Sequence, residues 1–178
     1  FVLPENEEQL CAAIRLAKEA GVRSYLLGNG SNILFEDAGY RGAVINVSAM
    51  KSGIGVIENI SFPGKDPALT YDAVVVGAGQ MLSSLCMAAL GNSLTGLEFA
   101  YGIPGTVGGA VYMNAGAYGA CMADVLESVR VYKPARQLDD GTRGSGNIIE
   151  FDADELNLGY RKSRIADDGF IVLSATFN

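Results

Sequence analysis

The chain has 178 residues, 49% of them hydrophobic, which suffices for one globular domain or for two small subdomains sharing a core. With 13 basic against 20 acidic residues the net charge is −7, and no Lys/Arg run exceeds two, so the electrostatic footprint of a nucleic-acid or anionic-membrane partner is missing. Histidine is absent, which excludes a His-based triad and a His-ligated metal; no metal site is expected.

In chain order, Phe1 to Leu3 reads as a short strand. Asn6 and Gln9 then stand as a capping box, and Leu10, Ala13, Ile14 and Ala17 recur at helical spacing up to Gly21, predicting a surface helix packed on a sheet. Ser24 to Leu27 predicts a short buried strand running into Gly28-Asn29-Gly30-Ser31-Asn32. Ile33 to Phe35 resumes apolar character, so the glycine loop is expected between two strands, before a turn at Asp37 to Gly39. Ala43 to Val47 and Val56 to Ile60 are further strands, Pro63 to Pro67 a surface loop, and Tyr71 to Val76 another strand. Leu82, Leu85, Cys86, Ala89 and Leu90 mark an amphipathic helix ending at Gly91. After the glycine-rich stretch from Leu97 to Gly119, Val129 and Val131 alternate with polar residues. Asp139 to Gly141 offers a turn, and Ile148 to Phe151 and Phe170 to Phe177 read as strands.

Cys11, Cys86 and Cys121 form no CxxC pair and read as buried free thiols in a reducing compartment. The Asn-x-Ser matches at Asn29, Asn46 and Asn59 stand without any other sign of secretion. No apolar run reaches about eighteen residues and the first residues are not a signal peptide, so a cytoplasmic location is expected.

Three glycine-bearing stretches invite a ligand. Gly77-x-Gly79 follows a β-branched strand and precedes a helix, with Glu98 about twenty residues on as in a dinucleotide-binding βαβ unit. Leu82 occupies the third glycine position, however, and the surrounding elements do not repeat as βαβ, so a plain strand–turn–helix junction is the better account. Gly28 to Asn32 could present successive N–H groups and side-chain donors to a phosphate, or could be a turn; its residues alone leave both open. The same holds for Gly102-Ile-Pro-Gly105-Thr-Val-Gly108-Gly109, where glycines serve either packing or close approach of a broad ligand carrying a diphosphate. No GxxxxGK[ST] occurs, and Gly64-Lys65 alone is too short for a P-loop.

Five segments in order, Leu26-Leu-Gly-Asn-Gly-Ser-Asn32, Gly96-Leu-Glu-Phe-Ala-Tyr-Gly-Ile-Pro-Gly-Thr-Val-Gly-Gly-Ala110, Met113-Asn-Ala-Gly-Ala-Tyr-Gly119, Tyr160-Arg-Lys-Ser163 and Leu173-Ser-Ala-Thr-Phe177, resemble the UDP-N-acetylenolpyruvoylglucosamine reductase (MurB) family. The resemblance runs the whole length of the chain. It implies an α/β (α+β) FAD-binding fold of the vanillyl-alcohol-oxidase/PCMH type, with two small α/β subdomains, residues 1–68 and 69–178, holding FAD between them. It further implies that NADPH reduces the flavin and that the flavin then reduces UDP-N-acetylglucosamine enolpyruvate to UDP-N-acetylmuramate for peptidoglycan synthesis.

By the same resemblance FAD is contacted by Gly28, Asn29, Gly30, Ser31, Asn32, Gly102, Ile103, Pro104, Gly105, Gly108, Gly109, Asn114, Gly116 and Ala117. Arg161 stabilises the enolpyruvyl carboxylate as the catalytic residue, and Tyr160 and Ser163 either orient it or touch substrate or are structural hydroxyls, while Lys162 and Arg164 are expected to be solvated. Asn29 stands where many relatives have glycine, and asparagine tolerates positive φ better than most residues. Relatives begin earlier and continue into a substrate-binding domain, so the chain resembles the FAD-binding part, inactive by itself. Alternatives are an FAD-dependent oxidoreductase of the same fold with another substrate, or a flavin-binding module without turnover.

Overall fold

The computed structural model describes residues 1–50, 52–62, 66, 68, 70–135 and 146–178. Helix α1 (Glu7–Glu19) starts on the expected residues: Asn6 Oδ1 accepts from the Gln9 amide at 2.9 Å. The reciprocal bond reaches one residue further out than a capping box requires, because Gln9 Oε1 accepts from Glu5 N–H at 2.8 Å. Leu10, Ile14 and Ala17 are buried as their spacing predicts.

Strands β1 (Ser24–Leu27) and β2 (Ala43–Asn46) pair in parallel. The expected opening strand is reduced to one bridge, Val2 to Ile45. The first three residues of β1 are exposed, and not buried as expected, because all four of its residues line a cleft. No strand forms at Ile33 to Phe35, and Leu34 is 95% exposed.

The main sheet contains β3 (Ile54–Ile60), β4 (Tyr71–Gly77), β7 (Leu126–Lys133), β8 (Asn147–Asp152) and β9 (Ile171–Phe177), in the order β3-β4-β9-β7-β8 with every neighbour antiparallel. Between β4 and β7 come α2 (Leu82–Gly91), α3 (Val107–Tyr112) and the small hairpin β5 (Gly116–Ala117) and β6 (Ala120–Cys121); α4 (Arg164–Asp168) precedes β9. The expected division at residue 68 falls between β3 and β4, which pair, so the change of sheet comes earlier, between Met50 and Ile54. The Pro63 to Pro67 loop, apart from Asp66, and the Asp139 to Gly141 turn lie outside the described residues.

Each face of the sheet carries a core. Val74, Val76, Val129, Val131 and Val172 pack with Leu82 and Leu85 of α2 and Val107 and Val111 of α3. Tyr132, Ile171 and Leu173 pack with Leu10, Ile14 and Ile45 on the other side. In β9 the pairing jumps from Ser174↔Arg130 to Val172↔Val131, leaving Leu173 as a bulge. That extra residue reverses the alternation, so Val172 and then Ala175 and Phe177 face the first core. The two layers are also tied by charge, Arg130 Nη1 donating to Glu7 Oε1 at 3.1 Å.

Antiparallel neighbours on both sides of β4 remove the dinucleotide reading of Gly77-x-Gly79. A Cβ at Gly79 would stand 2.3 Å from Val47 O and 2.6 Å from Met50 O, so that glycine answers to packing. All three cysteines are free thiols; Cys86 is buried, whereas Cys11 and Cys121 are partly exposed. Burial pushes the Cys86 and Cys11 thiols above the usual range. No helix among the described residues is long and apolar enough to cross a membrane.

Leu85, with no exposed surface, sits at the centre of the first core, whereas Leu90 on the same helix is 68% exposed. Leu85→Ala is expected to lower unfolding free energy by about 2–5 kcal/mol, and Leu90→Ala by less than about 0.5 kcal/mol. Urea denaturation followed by circular dichroism measures both.

Candidate functional site

A cavity of about 900 Å³ opens between the α1–β1–β2 layer and the face formed by α3 and β9. Gly28 to Asn32, Gly102 to Gly105, Gly108, Gly109, Gly116 and Arg161 are among the residues that line it. The two glycine stretches, about seventy-five residues apart in sequence, touch: Asn29 Nδ2 donates to Pro104 O at 2.8 Å. Asn29 thus holds the loops together through its side chain, and the residue that takes positive φ is Gly30, at +73°. Asn32 Nδ2 donates to Met113 Sδ at 3.4 Å.

The amides of the two walls differ in what they do. Those of Gly28 to Asn32 donate to no protein acceptor among the described residues. Successive N–H groups left open in this way are what an anion nest requires. In the second stretch the amides of Ile103, Gly105, Val107 and Gly108 donate to backbone carbonyls, and that of Gly109 to Thr106 Oγ1 at 3.3 Å, so most of its donors are engaged within the protein. A Cβ at Gly102 would meet nothing within 4 Å, and one at Gly105 would meet only atoms 3.9 Å away. Both glycines border the cleft without any protein atom requiring them to be glycine.

Helix α3 within this stretch is absent from the sequence expectation. Thr106, 1% exposed, caps it through the Gly109 amide, and the same hydroxyl occupies the space where a Cβ at Gly28 would stand, 2.5 Å away. The threonine three residues ahead of Gly109 is the usual N-cap spacing, but two consecutive glycines mask the helix it starts.

Arg161 lies in the turn Gly159 to Lys162, closed by Gly159 N–H to Lys162 O at 3.0 Å and Lys162 N–H to Gly159 O at 3.2 Å. Its φ is +54°, in the left-handed region. Its Nη2 donates to Gly116 O at 3.4 Å, and its guanidinium carbon stands 5.6 Å from the Tyr160 ring centre. Tyr160 is 93% exposed beside the cleft but does not line it. Lys162 pairs with Asp167 at 3.6 Å and is solvated as expected. Arg164 is not simply solvated: it pairs with Asp168 at 3.2 Å and lies 4.8 Å from the Phe151 ring centre.

With Tyr160, three more expected contact residues stand off the cavity lining: Asn114, Ala117 and Ser163. Asn114 is 6% exposed, its Nδ2 donating to Gly159 O at 3.0 Å and its Oδ1 accepting from the Ala123 amide at 2.9 Å. Ser163 is fully buried; its hydroxyl donates to Tyr112 O and accepts from the Ala166 amide as the cap of α4. Glu98 closes its own turn, with Thr95 Oγ1 at 2.6 Å and the Gly96 amide at 2.8 Å holding its carboxyl below the usual range, the threonine bond first. Among the described residues no group of three His, Cys, Asp or Glu side chains could hold a metal ion.

The sequence profile described as FAD binding domain matches residues 1–136. Over 177 residues the chain is 39% identical to the UDP-N-acetylenolpyruvoylglucosamine reductase of Clostridium novyi, covering 99% of this chain and 50% of that protein. It is 41% identical, with the same shares covered, to the protein of that name from Oceanobacillus iheyensis. The crystal structure of UDP-N-acetylenolpyruvylglucosamine reductase (MurB) from Thermus caldophilus superposes with a TM-score of 0.68 at 33% identity, covering 99% of this chain and 53% of that one. A VAO-type flavoprotein from Myceliophthora thermophila reaches a TM-score of 0.67 at 17% identity, over 99% of this chain and 31% of its own, and shares the fold. The chain spans about half the length of the curated relatives it matches.

The Gly28–Thr106 contact has a measurable consequence. Gly28→Ala forces a Cβ onto a hydroxyl that cannot turn away without uncapping α3, so the variant is expected to lose about 1–3 kcal/mol. In a Thr106→Gly background the same change should cost less, with a coupling of about 0.5–3 kcal/mol in a double-mutant cycle of urea midpoints.

Proposed function

Because the chain belongs to the FAD binding domain family and has the fold of vanillyl-alcohol-oxidase-type flavoproteins, we propose that it is the FAD-binding part of a UDP-N-acetylenolpyruvoylglucosamine reductase. In this proposal the complete enzyme is an FAD-dependent oxidoreductase of peptidoglycan synthesis in the cytoplasm. It takes hydride from NADPH and reduces UDP-N-acetylglucosamine enolpyruvate to UDP-N-acetylmuramate. In the same proposal the two subdomains divide where the chain passes from one sheet to the other, between Met50 and Ile54.

The observation that carries the proposal is one cleft lined by both open amides and Arg161. Gly28 to Asn32 fit the diphosphate of FAD: their N–H groups have no protein acceptor among the described residues, and Ser31 adds a side-chain donor. Gly102 and Gly105 fit a ligand lying flat against backbone, because they line the cleft and no protein atom keeps them glycine. The volume is at the upper end of the range for ligand sites, about 300–1,000 Å³. FAD, when bound, supplies the hydride-transfer chemistry.

Arg161 has the chemistry for the unsaturated carboxylate. Addition of hydride to C3 of the enolpyruvyl group moves negative charge onto the carboxyl oxygens, and a fixed guanidinium stabilises that charge with paired donors. Hydride transfer from nicotinamide creates no such carboxylate-borne charge, so the arginine acts on one half-reaction only.

Two measurements test this. Gly102→Val should weaken FAD binding at least about tenfold in a fluorescence titration while leaving the urea midpoint unchanged, since no protein atom stands within 4 Å of the added Cβ; unchanged affinity would overturn the assignment of this wall. In the gene's complete product, Arg161→Ala should leave flavin reduction by NADPH nearly intact and slow reoxidation by the enolpyruvyl substrate by about two to four orders of magnitude in stopped-flow absorbance. Equal slowing of both halves, or of neither, would make Arg161 a structural residue.

A further inference from the structure

We propose that Asn114 and Ser163 are positioning residues that moor the Arg161 turn to the wall of the cleft, and that neither is a ligand contact; the inference rests on the role of Arg161 given above. Two backbone hydrogen bonds close the turn from Gly159 to Lys162 on itself, but they do not fix where it sits on the wall. Tyr160 is 93% exposed and Arg161 is exposed as well, so their side chains bury little surface that could seat it. Arg161 also takes a φ of +54°, which a residue with a Cβ adopts unfavourably. The seating of the turn comes from its two feet.

Each foot is tied to the same short stretch of chain. At the first, Asn114 Nδ2 donates to Gly159 O at 3.0 Å, while Asn114 Oδ1 is itself fixed by the Ala123 amide at 2.9 Å. At the second, the buried Ser163 hydroxyl donates to Tyr112 O and accepts from the Ala166 amide at 3.2 Å. Tyr112 ends α3 and Asn114 stands two residues beyond it, and Tyr112, Met113, Ala115 and Gly116 line the cleft. The backbone that forms the wall therefore also carries the moorings, and Arg161 Nη2 meets it a third time at Gly116 O, 3.4 Å away. The Nδ2 and the Oδ1 of Asn114 are both engaged inside the protein, and the residue, 6% exposed, stands off the cleft lining.

Asn114→Asp isolates the mooring. Aspartate tolerates the left-handed backbone at this position, φ +45°, and keeps the acceptor for the Ala123 amide, but sets an oxygen against Gly159 O in place of the donor. In the gene's complete product with FAD bound, this variant should retain its flavin content and its rate of reduction by NADPH within about twofold, while reoxidation by the enolpyruvyl substrate slows at least about tenfold. Loss of flavin, or equal slowing of both halves, would show Asn114 to be a ligand contact or a general structural residue and would overturn the proposal. Normal reoxidation in this variant beside a slow Arg161→Ala would overturn the mooring and leave the role of Arg161 standing. Normal reoxidation in Arg161→Ala itself would remove that role, and the mooring with it. Should Asn114→Asp fail to fold, Ser163→Ala decides by the same criteria at the other foot, where φ is −152° and imposes no backbone demand.

Discussion

The close approach of residues 105–108 to the turn between β4 and α2 sets everything that borders the cleft. Leu82 N–H donates to Gly105 O at 3.0 Å, Val107 N–H to Gln80 O at 2.8 Å and Gly108 N–H to Ala78 O at 2.9 Å. A Cβ at Gly108 would stand 2.8 Å from Ala78 Cβ, so only glycine permits this rail. The rail fixes where α3 begins, which buries Thr106, and Thr106 in turn fixes how near the Gly28 loop can come. One wall of the cleft is thereby built on the sheet and the other is seated against the first.

Seen from this rail, the glycines divide by what excludes a side chain. At Gly28, Gly79, Gly108 and Gly116 the excluding atoms belong to the protein: Thr106, Val47 and Met50, Ala78, and Ala120 and Cys121. At Gly102 no protein atom lies within reach and φ is not positive, yet glycine costs about 0.5–1 kcal/mol relative to alanine in regular structure. No protein atom gives a reason for it, and it lines the cleft. Steric contact thus divides these glycines into those the scaffold requires and those it does not, a division that composition alone leaves mixed.

Periodicity made α1, α2 and the strands of the main sheet legible in the sequence, because each buries one regular face. It failed where order comes from elsewhere. Helix α3 has two glycines in six residues and is held by a cap and the rail, not by propensity. Helix α4 spans five residues between Ser163 and Gly169, at φ +68°, a cap pair readable as such but assigned to substrate on motif grounds. Ile33 to Phe35 is apolar yet exposed beside the cleft, and the alternation in β9 is reversed by a bulge at Leu173 that no local pattern announces. At the site, the glycine loops and Arg161 were legible as motifs, whereas the engagement of Asn114 and Ser163 depends on partners 45 and 51 residues away. Side-chain chemistry tells what such residues can bond, but only the fold tells whether a ligand or the chain itself takes the bond.

The charges around the turn bear on the same distinction. Lys162 is paired with Asp167 and Arg164 with Asp168, so the basic residues that flank Arg161 each have a carboxylate of α4 beside them. Arg161 forms no ion pair among the described residues; its one hydrogen bond, at 3.4 Å, goes to a carbonyl, and an aromatic face lies beside it. A guanidinium already paired to a carboxylate would have to break that pair before receiving an anionic ligand, and breaking charge-assisted bonds offsets much of what the new ones contribute. Here the uncommitted charge lines the cleft while its neighbours are paired, and the backbone is held in a conformation its side chain does not favour. A surface arginine kept for solubility needs neither the isolation nor the strained backbone, whereas one that must meet a developing carboxylate charge with little reorganisation needs its donors free and its position fixed.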